Sequence, residues 1–430
     1  MSSLMPRRAG QAYGRRMGPP PVVRSSFHAT LRSHFGREGR AGRAARALTT
    51  AVSALALAVG ALALASAPAH ADDAVPSQEY FSYYHLDAAR QKGYTGKGVT
   101  IAMIDGPVDT SDPALKGANI TDKSRCTIEA SADEKRHATE VASILVSPTT
   151  GVAPDATLYS YQAATSQSIS GGTCASTGES LDSFGKLINQ AIEDGAQIIS
   201  ISQGGLPDRS DEIKWAIANA ITHGVIVTAS VGNEARDQND THLSFWPGVV
   251  GVSAINSDGT FASYSSWGDG VVTAAFGGPI NSLDPTTNAP TTVSGTSYAT
   301  PLVAGMLALA RQKWPDATAN QILQLLVHTG LNPNHDWNQY TGYGAAALGS
   351  LVNQDPSQYP DENPIIEKQG TGTSLSPQDI RDYADGVANS TDAQSFPASY
   401  VYRGADEGIL FDQDRTIAVH LGTSPRYHRK

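Results

Sequence analysis

Cysteine is almost absent from this chain of 430 residues, which contains only Cys126 and Cys174. Both lie in polar sequence, and neither opens an apolar helix or follows an apolar strand, so a catalytic cysteine is not expected. In an exported protein an even number of cysteines favours one disulfide, and two free thiols are the alternative. Aromatic residues make up 7% and hydrophobic residues 40% of the chain, which is typical of a globular protein.

Lysine is missing from the first 71 residues, which hold ten arginines and one acidic residue, Glu38. An apolar run at residues 51–65 follows the arginines, and Ala69-His70-Ala71 then has the form of a small-residue cleavage site. This pattern predicts a signal peptide over residues 1–71 that is cleaved after Ala71, and therefore a secreted, extracellular protein. A membrane anchor, or translation from Met17, is the alternative.

Positive charge is scarce in the rest of the chain. Residues 72–430 contain 21 basic and 40 acidic residues, a net charge of −19. Because phosphate backbones bind clustered cations, this balance argues against nucleic acid as a partner. The same residues contain no apolar stretch long enough to cross a membrane, so no stable span is expected once the signal peptide is removed.

Apolar segments of strand length alternate with amphipathic segments of helix length. Strands are predicted at residues 99–104, 157–161, 197–202, 225–230, 249–255 and 271–275, and helices at residues 137–146, 181–193, 211–223 and 320–328 and around Ser297. This alternation predicts an α/β fold with a doubly wound, mostly parallel sheet and helices on both faces.

The domain organisation follows from where this alternation begins and ends. One domain is expected over residues 93–353, preceded by a short segment at 72–92. Residues 354–430 are rich in Pro, Asp, Gln and Ser and form a polar C-terminal extension, for which partial disorder is one interpretation. Two short strands are predicted within the extension, at 399–402 and 416–421.

Ser297 lies where an extended polar segment, residues 290–293, turns into a long apolar helix. The first turn of a helix has unpaired N–H groups and the positive end of the dipole, which favour negative charge. A serine there can attack a carbonyl, and its own N–H can hold the oxyanion that forms. A serine that only caps the helix is the common alternative. The hypothesis therefore needs a base, an orienting acid and a second oxyanion donor.

Three residues could fill those roles. His137 is predicted to begin a helix of small residues, which leave room beside the ring, and a base of near-neutral pKa suits a serine hydroxyl. Asp105 ends a buried strand and could orient the imidazole. Asn233 follows another buried strand and could donate to the oxyanion. Taken singly, each has an ordinary explanation as a surface, turn or cap residue.

Together, the order Asp105, His137, Asn233, Ser297 resembles that of the subtilisin-like serine peptidases, or subtilases. The resemblance rests on segments that occur in the family's order, at residues 93–105, 151–156, 201–205, 230–233, 295–301 and 343–344. The segment at 295–301, Gly-Thr-Ser-Tyr-Ala-Thr-Pro, is highly specific for that family.

The resemblance implies a serine endopeptidase with a polypeptide substrate and no cofactor. Ser297 would be the nucleophile, His137 the general base and then acid, Asp105 its orienting acid, and Asn233 with the Ser297 N–H the oxyanion hole. The resemblance also implies two substrate-binding walls: an edge that pairs with the substrate backbone at Ser202, Gln203 and Gly204, and the other wall of the S1 pocket at Ala229, Ser230 and Val231. A monomer is expected.

The sequence departs from the family pattern at four places. The base is followed by Ala138 and Glu140, where the family usually has His-Gly-Thr-His; a nearby Glu140 would raise the histidine pKa, although a solvated helix acid is the favoured interpretation. Gly106-Pro107 replaces the usual Ser/Thr-Gly after Asp105. The segment before Gly151 is too short for the family's calcium-binding loop, so no metal site is predicted. Residues 72–99 leave no room for the usual inhibitory prodomain.

Three other interpretations are open at this point. A degenerate subtilase could bind peptides or a partner with weak or no proteolysis. An α/β-hydrolase esterase could use Ser297 with Asp316 and His328, but its serine should directly follow a strand of the sheet. A subtilase tied to a cell-surface secretion system usually ends in a membrane helix. This sequence ends in basic residues 426–430 with no apolar tail, so a freely secreted protein is favoured.

Overall fold

A parallel sheet of seven strands lies at the centre of the computed structural model, which describes residues 77–163, 172–176, 182–203, 211–237, 242–332, 336–368 and 375–384. These residues all belong to one unit that begins at Ala71. The strands are β1 (Thr100–Asp105), β2 (Ile120–Asp122), β3 (Thr157–Gln162), β4 (Ile198–Ile201), β5 (Ile226–Ser230), β6 (Val249–Ile255) and β7 (Val271–Phe276). They pair in the order β2-β3-β1-β4-β5-β6-β7. Two further strands, β8 (Ile280–Leu283) and β9 (Pro290–Val293), form a separate antiparallel hairpin.

Helices cover both faces of the sheet. They are α1 (Glu79–Tyr83), α2 (Leu86–Gln91), α3 (Ala132–Val146), α4 (Phe184–Glu193), α5 (Asp211–Thr222), α6 (Thr296–Lys313), α7 (Ala319–Thr329), α8 (Leu348–Asn353) and α9 (Pro377–Ala384). None of the helices in the described part of the chain has the length and apolar character needed to cross a bilayer.

Two apolar clusters explain why the predicted strands carry apolar residues on both faces. Ile101 and Met103 of β1 belong to the cluster that contains α3, α6 and α7, whereas Ala102 and Ile104 belong to the cluster that contains α4, α5 and α9. Successive side chains of a strand point to opposite faces, and here both faces are covered. The predicted α/β fold with helices on both faces is therefore confirmed.

The helix that carries His137 begins earlier than the sequence analysis predicts. α3 starts at Ala132, so His137 is its sixth residue and not its first. Ser131 caps the helix: its Oγ accepts from the Glu134 N–H at 3.2 Å, and its own N–H donates to Glu134 Oε2 at 2.7 Å. The Ser-x-x-Glu pattern of this capping box is present in the sequence at Ser131 and Glu134, but the predicted helix start did not take it into account.

The start of the polar C-terminal extension packs on the domain. Ile365 is buried, and its carbonyl accepts from the Gly248 N–H at 2.9 Å. Further on, α9 packs on α5, where Lys214 Nζ lies 2.7 Å from Asp379 Oδ1. The packed region therefore continues past the predicted domain end at Asn353. The strands predicted at 399–402 and 416–421 lie outside the described residues.

Cys126 and Cys174 form a disulfide, with 2.04 Å between the sulfur atoms. Both cysteines are buried together with Ile128 in a small apolar cluster. The predicted disulfide is therefore confirmed, and the alternative of two free thiols is wrong. The two cysteines are 48 positions apart, and the intervening chain includes α3 with His137.

We expect replacement of both cysteines by serine to lower the free energy of unfolding by about 4 kcal/mol, because a cross-link over a loop of this length removes entropy from the unfolded chain. Urea unfolding of the oxidised wild type and the variant measures the difference. Reduced wild type serves as the control and should unfold at the same urea concentration as the variant. Coincident midpoints for the oxidised wild type and the variant would contradict the expectation.

Candidate active site

Asp105 lies at the carboxyl edge of the sheet, where the strand order changes direction between β1 and β4. The ends of parallel strands at such a point form a crevice. The side chain is fully buried. Its Oδ1 accepts hydrogen bonds from the Gly106 N–H at 2.7 Å, His137 Nδ1 at 3.1 Å and Gln203 Nε2 at 2.7 Å. These donors, from three different segments, fix the orientation of the carboxylate.

Gly106 directly follows Asp105, at a position where the family usually has serine or threonine. A methyl group built on Gly106 would lie 3.1 Å from the backbone oxygen of Glu134, in the first turn of α3. The end of β1 and the helix of His137 therefore approach each other closely at this point. The departure leaves the carboxylate in place, since the Gly106 N–H is one of its donors.

His137 is held through one ring nitrogen and partly exposed. Its side chain is 24% exposed, and the bond from Nδ1 to Asp105 leaves Nε2 as the nitrogen that could accept a proton. Burial is the largest influence and lowers the pKa of His137. The charge and hydrogen bond of Asp105, with the charge of Glu140, outweigh it, so the net pKa lies above its ordinary value.

Ser297 is the second residue of α6, in the first turn, and its side chain is almost fully buried. The residue before the helix, Gly295, has extended backbone with φ 170°. No hydrogen bond joins Ser297 Oγ to the His137 ring, although both side chains lie in the described part of the chain. Hydrogen bonds between a catalytic serine and its base are often long in an enzyme without substrate. The missing bond therefore does not exclude His137 as the base for Ser297.

Asn233 is anchored to the start of the same helix. Its Oδ1 accepts from the Thr296 N–H at 2.8 Å and from Thr296 Oγ1 at 3.1 Å. Both bonds use the oxygen, so neither uses the amide NH₂. A methyl group built on Gly295 would lie 3.0 Å from Ser297 Oγ and 3.4 Å from Asn233 Nδ2. The hydroxyl and the amide therefore face one small space, which a carbonyl carbon and its oxygen could fill.

We expect Gly295→Ala to lower kcat by about 10²-fold while the protein stays folded, because the added methyl occupies the space that Ser297 and Asn233 share. The backbone at Gly295 is extended, so alanine brings no backbone strain there. Steady-state kinetics with a peptide substrate and thermal unfolding measure the two effects. Gly349→Ala, at a position where a methyl would meet nothing within 4 Å, is the control. Wild-type kcat in Gly295→Ala would show that this space is not used.

The described substrate-binding candidates lie at the ends of β4 and β5, which are neighbours in the sheet. The side-chain amide of Gln203 donates to Asp105 Oδ1 at 2.7 Å, and its backbone carbonyl accepts from Ser230 Oγ at 3.3 Å. The side-chain amide therefore supports the acid, and pairing of this segment with a substrate backbone stays a prediction. Gly204 lies outside the described residues. The other four predicted residues are buried: Ser202, Ala229, Ser230 and Val231.

Glu140 is not the solvated acid that the sequence analysis favours. Its Oε2 accepts from the Tyr298 hydroxyl at 2.7 Å, and its Oε1 accepts from the Ser282 hydroxyl. Burial raises the pKa of Glu140 above its ordinary value, and the two hydroxyl donors and the nearby His137 only partly oppose that rise. The sequence placed Glu140 near the base, but its two partners come from distant segments that no local pattern connects to it.

Comparison with known sequences agrees with this geometry. Residues 96–344 match the family model of the subtilases. Subtilisin E of Bacillus subtilis (strain 168) is 32% identical to the chain over 258 residues, which cover 56% of this chain and 63% of subtilisin E. Subtilisin of Bacillus pumilus is also 32% identical over 258 residues, which cover 56% of this chain and 87% of that protein. The chain thus spans less than two thirds of the length of subtilisin E.

Solved structures show the same fold. The prenylagaramide maturation protease PagA is 26% identical, with a TM-score of 0.50 over 62% of this chain and 96% of that chain. MycP1 from the ESX-1 type VII secretion system is 24% identical, with a TM-score of 0.55 over 68% of this chain and 89% of that chain. At these identities the likeness to MycP1 concerns the fold alone.

Proposed function

This chain belongs to the subtilase family, and from that premise we propose that it is a serine endopeptidase that hydrolyses polypeptides through an acyl-enzyme on Ser297. The observation that carries the proposal is the arrangement at the sheet edge. Asp105 binds His137, and Asn233 binds Thr296, which directly precedes Ser297 at the start of α6.

In the first half of the proposed reaction the Ser297 hydroxyl attacks the carbonyl carbon of the scissile bond. His137 Nε2 takes the hydroxyl proton as the Oγ–C bond forms, and Asp105 holds the ring through Nδ1. The carbonyl oxygen becomes negative and accepts hydrogen bonds from the Asn233 NH₂ and the Ser297 N–H. His137 then gives the proton to the leaving nitrogen, and the C–N bond breaks.

In the second half a water molecule replaces the leaving amine. His137 takes a proton from the water, the resulting hydroxide attacks the acyl carbon, and the same donors hold the second oxyanion. Collapse of that intermediate breaks the ester bond, and the proton on His137 returns to Ser297 Oγ. Every proton taken is given back, so the enzyme ends the cycle unchanged.

Covalent labelling by a fluorophosphonate tests the proposal, because such reagents react with an activated serine. We expect the purified wild type to be labelled and to cleave an unfolded polypeptide at internal bonds, with fragments identified by mass spectrometry. A folded wild type that is neither labelled nor active at any pH would overturn the proposal. That outcome would leave a peptide-binding subtilase as the better account.

We also propose that the chain is exported and that residues 1–71 are removed. The support is the arginine-rich start, the apolar run and the Ala-His-Ala sequence, together with a disulfide, which persists in oxidising compartments. The amino-terminal sequence of protein recovered from culture medium tests this, with Asp72 expected as the first residue. Full-length protein found only inside cells would contradict it.

A further inference from the structure

Glu140 connects the helix of the proposed base to the helix of the proposed nucleophile. It lies three residues after His137 on α3, so the two side chains share a face of that helix. Its Oε2 accepts from the Tyr298 hydroxyl at 2.7 Å, and Tyr298 directly follows Ser297 in α6. The Glu140 carboxylate therefore connects the helix turn next to His137 with the residue next to Ser297.

Tyr298 also contacts the imidazole itself. The ring centroids of His137 and Tyr298 are 5.5 Å apart, with the planes tilted by 53°. Tyr298 is only 6% exposed, so its ring is fixed by packing as well as by the bond to Glu140. The His137 ring is consequently held at Nδ1 by Asp105 and along its side by Tyr298.

The second oxygen of Glu140 binds a third element. Oε1 accepts from the hydroxyl of Ser282 in β8, and the paired strand β9 leads through Ser294 to Gly295 at the start of α6. Glu140 thus holds the helix of the base, the helix of the nucleophile and the hairpin that precedes the nucleophile. A carboxylate with two hydroxyl donors is well suited to such a junction.

We propose that Glu140 is a positioning residue, which acts through Tyr298 to hold the His137 ring and the first turn of α6 in one arrangement. The inference rests on the proposed function. Because the proposed proton transfer needs Nε2 and Ser297 Oγ within hydrogen-bond reach, a small relative shift of the two helices lowers kcat. Substrate binding at the β4 and β5 ends does not involve this junction, so KM should change little.

The charge of Glu140 affects the pH dependence of kcat/KM, a quantity that a purely structural role of Glu140 would leave unchanged. His137 faces Asp105 from β1 and Glu140 from its own helix, and Glu140 faces Tyr298 from α6 and Arg136 from α3. The negative charge of Glu140 is one of the influences that raise the His137 pKa. Only the neutral imidazole accepts a proton, so kcat/KM falls as the pH drops below that pKa. Removing the charge should move this acid limb to lower pH.

The experiment compares Glu140→Gln, Tyr298→Phe and the double variant, with Glu362→Gln as a matched change of an exposed glutamate. We expect each single variant to lower kcat about tenfold, with KM within about twofold of the wild type. The double variant should be no slower than the slower single variant, because the two side chains act as one unit. Glu140→Gln should also move the acid limb of kcat/KM to lower pH, and Glu362→Gln should change neither quantity.

The outcomes separate this inference from the proposed function. A wild type without activity or labelling would remove the proposed function itself. An active wild type whose kcat and acid limb are unchanged in Glu140→Gln would overturn the positioning role alone. Additive losses in the double variant, or a lower kcat with an unmoved acid limb and a lower Tm, would also overturn it, since these indicate general destabilisation.

Discussion

Ser297→Ala should lower peptide hydrolysis by about 10⁶-fold, a magnitude taken from subtilisin, in which loss of the nucleophile was measured. The physical reason is that alanine has no oxygen to form the acyl-enzyme, so only water can attack. The oxyanion donors and the substrate site remain, and a small rate above the uncatalysed reaction should therefore persist. Initial rates with a peptide substrate and labelling by a fluorophosphonate measure the loss.

Ser294→Ala is the matched control for this variant. Ser294 lies three positions before Ser297 and is exposed, so the same substitution there should leave rate and labelling as in the wild type. Ser297→Ala should also keep the wild-type Tm, because the side chain makes no hydrogen bond within the described residues. Labelling that survives in Ser297→Ala would mean that another residue is the nucleophile.

Asn233→Ala should lower kcat by about 10²–10³-fold, again a magnitude known from subtilisin, with little change in KM. The amide is expected to bind the oxygen only when it becomes negative, so its loss is felt in the transition state and not in the bound substrate. Stopped assays at saturating and low substrate concentrations separate kcat from KM. A rise in KM at constant kcat would show instead that Asn233 binds the ground state.

Asn233→Asp separates catalysis from local structure. Aspartate keeps an oxygen for the Thr296 N–H, so the anchor at the start of α6 is preserved, but it has no NH₂ to donate. Its negative charge would also repel the oxyanion. We therefore expect Asn233→Asp to be at least as slow as Asn233→Ala and more stable to heat. An aspartate variant with wild-type kcat would argue against the proposed oxyanion donor.

Much of the architecture could be predicted because burial leaves a direct trace in the sequence. The run at 99–104 is apolar at every position except Thr100, because β1 is covered on both faces, and the strand predicted at 249–255 has the same bounds as β6. The boundary of α3 was missed because hydrophobic periodicity begins at His137, whereas the helix is started by the polar capping box at Ser131.

The site was predictable only in part, for a different reason. Asp105 and Asn233 lie at strand ends and Ser297 at a helix start, positions that local patterns set, whereas His137 lies one turn inside α3. The roles of Gln203 and Glu140 depend on where a long side chain ends. Gln203 binds Asp105 and Glu140 binds Tyr298. Both pairs are far apart in the sequence, so hydrophobic periodicity, which is a local pattern, does not predict them.

The disulfide between Cys126 and Cys174 keeps the chain in one covalent piece after a backbone cut within the loop that carries His137. If the chain is a peptidase, as proposed, other copies could cut it, and a single cut between Cys126 and Cys174 would leave both pieces joined by the disulfide. After a cut between Cys126 and His137 the disulfide would join Asp105 to the piece with His137, and after a cut between His137 and Cys174 it would join both residues to the piece with Ser297. A nicked chain should keep its activity and run as one band without reductant, and as two fragments once the disulfide is reduced.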